Sequence, residues 1–301
     1  MYIATDITDF DNHKAEKNSG VTKTTVDTVY DLASFSKVMD TTQSIMKLYY
    51  EGKIKLDDKV IIYLPYFAQN CKENVTIEQL LTHTSGLPQW EPTFLYIKND
   101  RDAELEYIEK LPLIFETGEV KYSDFGFMTL GFIVETIIGM GIEEYVENEI
   151  YKPLGTTKTM YNPLDKGIDK SNIAATSWGN PYEYIMVDEE NYIEFGYDCS
   201  KDKEIFEKFT GWRNYTLVGE VNDGNAGMAK GGVSGHAGIF STVEDLAILG
   251  QLMLNGGEYN GIKLYDKQTI DLFSKNHLGE NNRGYGFELE KNIYGRKKVL
   301  H

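Results

Sequence analysis

Ser34 and Lys37 stand three residues apart in the stretch "YDLASFSK". On a helix that spacing puts both side chains on one face. A hydroxyl beside an amine is the minimum equipment for nucleophilic catalysis, in which the amine takes the hydroxyl proton and the oxygen attacks a carbonyl. The same pairing recurs at Ser44/Lys47 and Ser200/Lys203, and a pattern of such common residues arises about once by chance in a chain this long. Context has to choose among them. Ser44 falls in the middle of an expected helix, where its N–H is already committed to the carbonyl four residues back. Ser200 lies between Asp198 and Asp202, where a lysine stays charged and makes a poor base. Ser34 opens a helix, so its N–H is one of the unpaired donors of a helix N-terminus and can face a developing oxyanion. A lysine buried one turn later is expected to lose proton affinity. The competing reading is an N-cap serine with a solvated lysine, and this window alone favours it.

The elements that must hold these residues are mostly helical. "FSKVMDTTQSIMKLYYEGK" has helical spacing and stops at Gly52. "VTIEQLLTHTSGLP" predicts a short helix opened by Thr76 and stopped near Gly86 and Pro88. Helices are expected at about 124–139 and 142–151. "STVEDLAILGQLMLNGG" predicts another, with Ser241 and Glu244 as its capping box and Leu246, Leu249 and Leu252 as its apolar stripe. Strand signals are sparse: Tyr2 to Thr5, and Gly286 to Leu289. Residues 162–232 are acidic and tyrosine-rich and read as an insertion of loops and short strands.

The 301 residues carry 30 basic and 47 acidic side chains, a net charge of -17 that argues against nucleic-acid or anionic-membrane partners. Cys71 and Cys199 cannot make a disulfide framework. Residues 1–29 lack the apolar stretch of a signal peptide, and no apolar run reaches the length of a membrane span. The five histidines have no metal-ligand spacing and no phosphate loop occurs, so the expectation is a site with neither metal nor cofactor. His236, in "GHAG", either faces substrate or only shapes a turn. His83 is expected to interact with the last carbonyls of its helix.

Several segments together, in order, resemble a known family. "TVYDLASFSKV", "GKIKLDDKVIIYLP", "VTIEQLLTHTSGLP", "GEVKYSDFGFMTLGFIVE", "IYKPLGTTKTMYNP" and "GEVNDGNAGMAKGGVSGHAGIFSTVEDLA" are similar to successive landmarks of the serine β-lactamase, penicillin-binding protein and family VIII esterase superfamily. The nearest subgroup is that of low-molecular-mass penicillin-binding proteins. The resemblance covers about residues 20–301. It implies an α+β, β-lactamase/transpeptidase-like fold in one domain, and a serine hydrolase that forms an acyl-enzyme on β-lactams, D-amino-acid peptides or small esters. Ser34 would be the nucleophile, Lys37 its general base and Tyr122 the proton relay to the leaving group. A neighbouring ammonium stabilises a phenolate, which suits such a relay. Asp124 stands where the family usually has asparagine; it could accept a hydrogen bond from Lys37 but, ionised, could not donate one to a substrate amide.

The family's third motif, K-T-G or H-T-G on a strand, is not in the chain, and His301 would be its first letter. In the family the central sheet is built from the two chain ends. The expectation is therefore a helical middle lacking most of that sheet, with an uncovered apolar face behind the nucleophile helix. One missing oxyanion donor costs about 100- to 1000-fold in turnover. The alternative expectation is accordingly a non-catalytic or wall-binding relative. The partner expected under either reading is a small molecule or a cell-wall peptide.

Overall fold

The computed structural model describes residues 22–188 and 197–289, with the backbone of short strands among residues 2–16. His301 and the wider 290–301 segment lie outside the described residues. The helices are α1 (Gln43–Tyr50), α2 (Ile77–Leu81), α3 (Arg101–Lys110), α4 (Asp124–Ile138), α5 (Ile142–Val146), α6 (Lys152–Leu154), α7 (Pro181–Asp188), α8 (Lys203–Lys208), α9 (Val243–Leu254) and α10 (Lys267–Phe273). The sheets among the described residues are small and antiparallel, so the fold is α+β and mostly helical.

The apolar periodicity of α4 is explained by burial. Phe125, Met128, Leu130 and Ile133 are fully enclosed and pack with Ile45, Met46 and Leu48 of α1 and with Leu80 and Leu81 of α2. Ser123 caps its first turn by accepting the Gly126 N–H, and Gly139, at φ 71°, ends it in the left-handed conformation. No single helix among the described residues is long and apolar enough to cross a membrane; α4 and the α5–α6 stretch bend by 73°. Two satellite clusters flank this core. One is aromatic, with Trp90, Phe94, Tyr197 and Phe206, and the other gathers Val29, Ile173, Val221 and Phe240.

A three-stranded sheet positions the segment that carries Ser34. Ile239–Ser241 lies between Tyr30–Asp31 and Met160–Tyr161, with Asp31 opposite Phe240. The chain leaves this sheet at Asp31, makes one tight helical turn at Ala33–Phe35, and continues as a π-helical stretch, Lys37–Thr42, into α1.

The structure moves several expected boundaries. Ser241 is not the cap of α9: it ends the central strand, its hydroxyl bonded to Thr159, while Thr242 accepts the Asp245 N–H as N-cap. Helix α2 stops at Leu81, five residues before Gly86, because His83 already takes the left-handed conformation at φ 59°. Among the described residues, 286–289 form no strand: Glu288 and Leu289 are bridge positions, Glu288 pairing with Arg283. Tyr2–Ile3 is a strand paired with Thr22–Lys23.

Among the described residues, the segment after Ser34 borders a groove. Phe35, Val38 and Met39 line a groove of about 890 Å³ with Leu249 and Met253 of α9 and Ile270 of α10. Its lining is mostly apolar, with Gln43, Lys267 and Asp271 among the polar residues.

Candidate active site

Ser34 sits in the turn that joins strand to helix. The turn is tight enough to force Ala33 to φ 46°, a conformation that disfavours a residue with a Cβ. Asp31 holds it there by accepting the Ala33 N–H at 2.8 Å, while its other oxygen accepts the Asn222 N–H at 2.8 Å. The first bonds of the turn are Phe35 N–H to Leu32 O and Ser36 N–H to Ala33 O. The Ser34 N–H therefore precedes the ladder, as a donor at the head of the helix. Ser34 itself is exposed.

Lys37 is buried, 3% exposed. Its Nζ lies 3.0 Å from Ser34 Oγ, 3.1 Å from the His236 carbonyl oxygen and 2.7 Å from Asp124 Oδ1. Three acceptors match the three N–H bonds of an ammonium. The same geometry serves a neutral amine, with two N–H bonds on His236 and Asp124 and the lone pair facing the Ser34 hydroxyl. Burial pulls the Lys37 pKa down, as expected from sequence, but the adjacent Asp124 and Tyr122 outweigh it and the net shift is upward. The expectation of a lysine with weakened proton affinity is thus corrected. Its physical reason is the ion pair, which stabilises the charge that burial penalises.

Tyr122 and Asp124 come from the front of α4. The Tyr122 ring centroid is 4.9 Å from Lys37 Nζ. The ring lies on His83, centroids 4.5 Å apart, and His83 also contacts Phe127. His83 does not bind helix-end carbonyls: its Nδ1 accepts the Ser123 N–H at 3.0 Å. Burial chiefly, with Arg283 and Lys37 nearby, holds its pKa well below the usual histidine value. A neutral, hydrogen-bonded imidazole is a fixed platform under Tyr122. Sequence reading missed this role, which depends on a contact with a residue 40 positions away.

His236 is fully buried. Its carbonyl takes part in the Lys37 cage, while its ring is bonded to Ser234 Oγ through Nδ1 at 2.7 Å and to Asp223 Oδ1 through Nε2 at 3.0 Å. Asp223 also accepts the Ala226 N–H at 2.8 Å. Burial opposes its charge, but His236 and these bonds hold its pKa at about 2. Ligand-type atoms of Asp124, Asp223 and His236 lie within 4.8 Å of one another, and the cation beside them is the Lys37 ammonium. The two other serine–lysine pairs are separate from this group: Ser44 is bonded to Asp40 inside the core, and Ser200 to Asp198 at the surface.

A helical body with a serine at a helix head, a lysine against its hydroxyl and a tyrosine alongside defines a class of serine-acylating folds. The Beta-lactamase family model matches residues 10–295, and the chain belongs to that family. A protein of Escherichia coli (strain K12), named as a proposed D-alanyl-D-alanine carboxypeptidase, is 36% identical over 286 residues, covering 90% of this chain and 61% of its own length. The chain therefore spans about 61% of the length of this curated relative. Among solved structures, an octameric penicillin-binding protein homologue from Pyrococcus abyssi superposes with a TM-score of 0.66 at 21% identity, covering 92% of this chain and 56% of that one. A D-stereospecific amidohydrolase from Streptomyces sp. superposes with a TM-score of 0.63 at 21% identity, covering 91% and 74%. These neighbours establish the β-lactamase/transpeptidase-like fold.

Proposed function

We propose that the chain carries the acylating half of a serine hydrolase. Ser34 Oγ attacks a substrate carbonyl, and its proton passes to the neutral form of Lys37. The tetrahedral oxyanion is met by the Ser34 N–H. Collapse breaks the bond to the leaving group, which takes its proton by way of Tyr122, and leaves an ester on Ser34 that water then hydrolyses. The observation that carries this reading is the 3.0 Å contact between Lys37 Nζ and Ser34 Oγ, made by a lysine whose other two bonds are taken by Asp124 and the His236 carbonyl. Because the ion pair favours the ammonium, attack requires prior loss of a proton, and acylation should quicken as pH rises. The substrate class we favour is D-amino-acid peptides, supported by the name of the Escherichia coli relative, with β-lactams and small esters as analogues of the same acyl transfer.

The test is covalent labelling with a fluorophosphonate and with a fluorescent penicillin, followed by peptide mapping. An adduct on Ser34 that Ser34→Ala abolishes is the expected result. A wild-type protein that stays unlabelled by both reagents favours the second reading, a non-catalytic wall-binding relative, which the resting ammonium at Lys37 supports.

A further inference from the structure

Asp223 and the His236 ring lie beside Asp124, the partner of Lys37, and acyl transfer by Ser34 does not use them. We propose that they form a positioning pair for Lys37: the bond between Asp223 and the imidazole fixes the His236 carbonyl where it holds the lysine against Ser34. This inference rests on the reading of Lys37 as the base for Ser34.

The His236 carbonyl is 3.1 Å from Lys37 Nζ, and it belongs to a four-residue turn closed by a bridge between Ser234 and Ala237. Thr41 and Tyr161 hold the Gly235 and Ser234 carbonyls, and the His236 ring adds a tie at the residue whose carbonyl meets Lys37. Here the ring is tied at both nitrogens, to Ser234 inside the turn and to Asp223 outside it. Asp223 is anchored in its own right, since it caps the helical stretch Asn225–Ala229 through the Ala226 N–H. The chain immediately before it is tied to the nucleophile turn by the bond from Asn222 N–H to Asp31. A histidine serving only to fill space in a turn would need neither a carboxylate partner nor complete burial, and the partly buried Asp223 is bonded to both the ring and the Ala226 N–H.

The groups facing Lys37 are Asp124 and Tyr122 from the front of α4, His83 from the end of α2, and Asp223. Asp223 in turn faces Asp31, Glu104, Glu183 and Arg213 as well as His236. Removing the Asp223 charge therefore acts on Lys37 in the direction of easier proton loss, opposite to what a loss of positioning does to the rate.

The experiment measures two quantities on the whole chain: the rate of Ser34 labelling by a fluorophosphonate across pH, and the titration of Lys37 followed by its 13Cε resonance. With His236→Ala and Asp223→Asn the plateau labelling rate is expected to fall about tenfold or more. The Lys37 titration is expected to move to lower pH in Asp223→Asn and to broaden or move in His236→Ala. In His236→Gln an amide nitrogen can reach Asp223, and both readouts are expected to return toward wild type. Wild-type plateau rates and an unmoved Lys37 titration in both variants would overturn the positioning role. Should His236→Ala fail to fold, the nearly isosteric Asp223→Asn decides through the same two readouts. Absence of labelling in the wild type would sink the nucleophile reading, while the Lys37 resonance still decides whether Asp223 and His236 hold the lysine.

Discussion

Lys37 and Asp124 form an ion pair at 2.7 Å, with the ammonium almost wholly enclosed. The carboxylate raises the pH to which Lys37 keeps its proton. If the free amine of Lys37 activates Ser34, the labelling rate of the wild type climbs with pH and Asp124→Asn shifts that climb to lower pH. A pH–rate profile with a fluorophosphonate reads the shift. A profile that stays in place or moves upward would separate Asp124 from the base.

Tyr122 is 39% exposed and its ring contacts with His83 and Lys37 need no hydroxyl, so Tyr122→Phe should leave thermal stability within about 0.5 kcal/mol. Turnover of an amide or ester with a poor leaving group should drop about 100-fold, the usual scale for loss of a proton donor. An activated ester, whose leaving group needs no proton, should be affected far less. Equal losses on both substrates would argue that the phenol positions rather than relays.

Asp40 gives a stability signature separate from catalysis. It is completely buried in the stretch Lys37–Thr42, bonded to Tyr161 and Ser44, and burial pushes its pKa from 3.8 to about 8. The folded chain therefore holds a proton there that the unfolded chain releases above about pH 4. The contribution is complete below the unfolded value and is lost as pH rises through about 8. Denaturant titrations of wild type and Asp40→Asn should diverge over that window, with wild type losing up to about 1.4 kcal/mol per pH unit relative to the variant. Parallel curves would mean that Asp40 is ionised in the fold.

Gly235 has no room for a side chain. A Cβ there would fall 2.3 Å from the Phe127 carbonyl oxygen and 3.1 Å from the Cα of Gly131. The close approach lets the Gly235 carbonyl accept the Thr41 hydroxyl at 2.6 Å, one residue before the carbonyl that holds Lys37. Gly235→Ala should destabilise by about 1–3 kcal/mol and slow Ser34 labelling more than the stability loss alone explains. Calorimetry paired with labelling below the melting range checks both.

How far the sequence foretold this arrangement differs element by element. The helices 124–138 and 243–254 were legible because their apolar periodicity and end residues agree, although Ser241 and Thr242 both suit an N-cap and only the strand pairing of Ser241 decides between them. The meeting of Ser34, Lys37, Tyr122 and Asp124 was expected from family motifs. The sign of the Lys37 shift was not, because it depends on which of two opposing effects is larger at one particular distance. His83 and Asp223 escaped for a different reason. Each has an ordinary local role, as a helix end and as a helix cap, and acquires its place in the site only through a partner remote in sequence: Ser123 for one, His236 for the other.

Asp31 joins the Ala33 N–H, two residues on, to the Asn222 N–H, 191 residues on. Ser36 and Thr41 are bound to residues 239 and 235 over separations of 203 and 194. The helix that bears Ser34 can thus wind early from local sequence, but the bend at its head waits on chain that is nearly two hundred residues away. Closing loops of that length is slow. In a refolding time course, helical ellipticity should recover well before reactivity at Ser34 does.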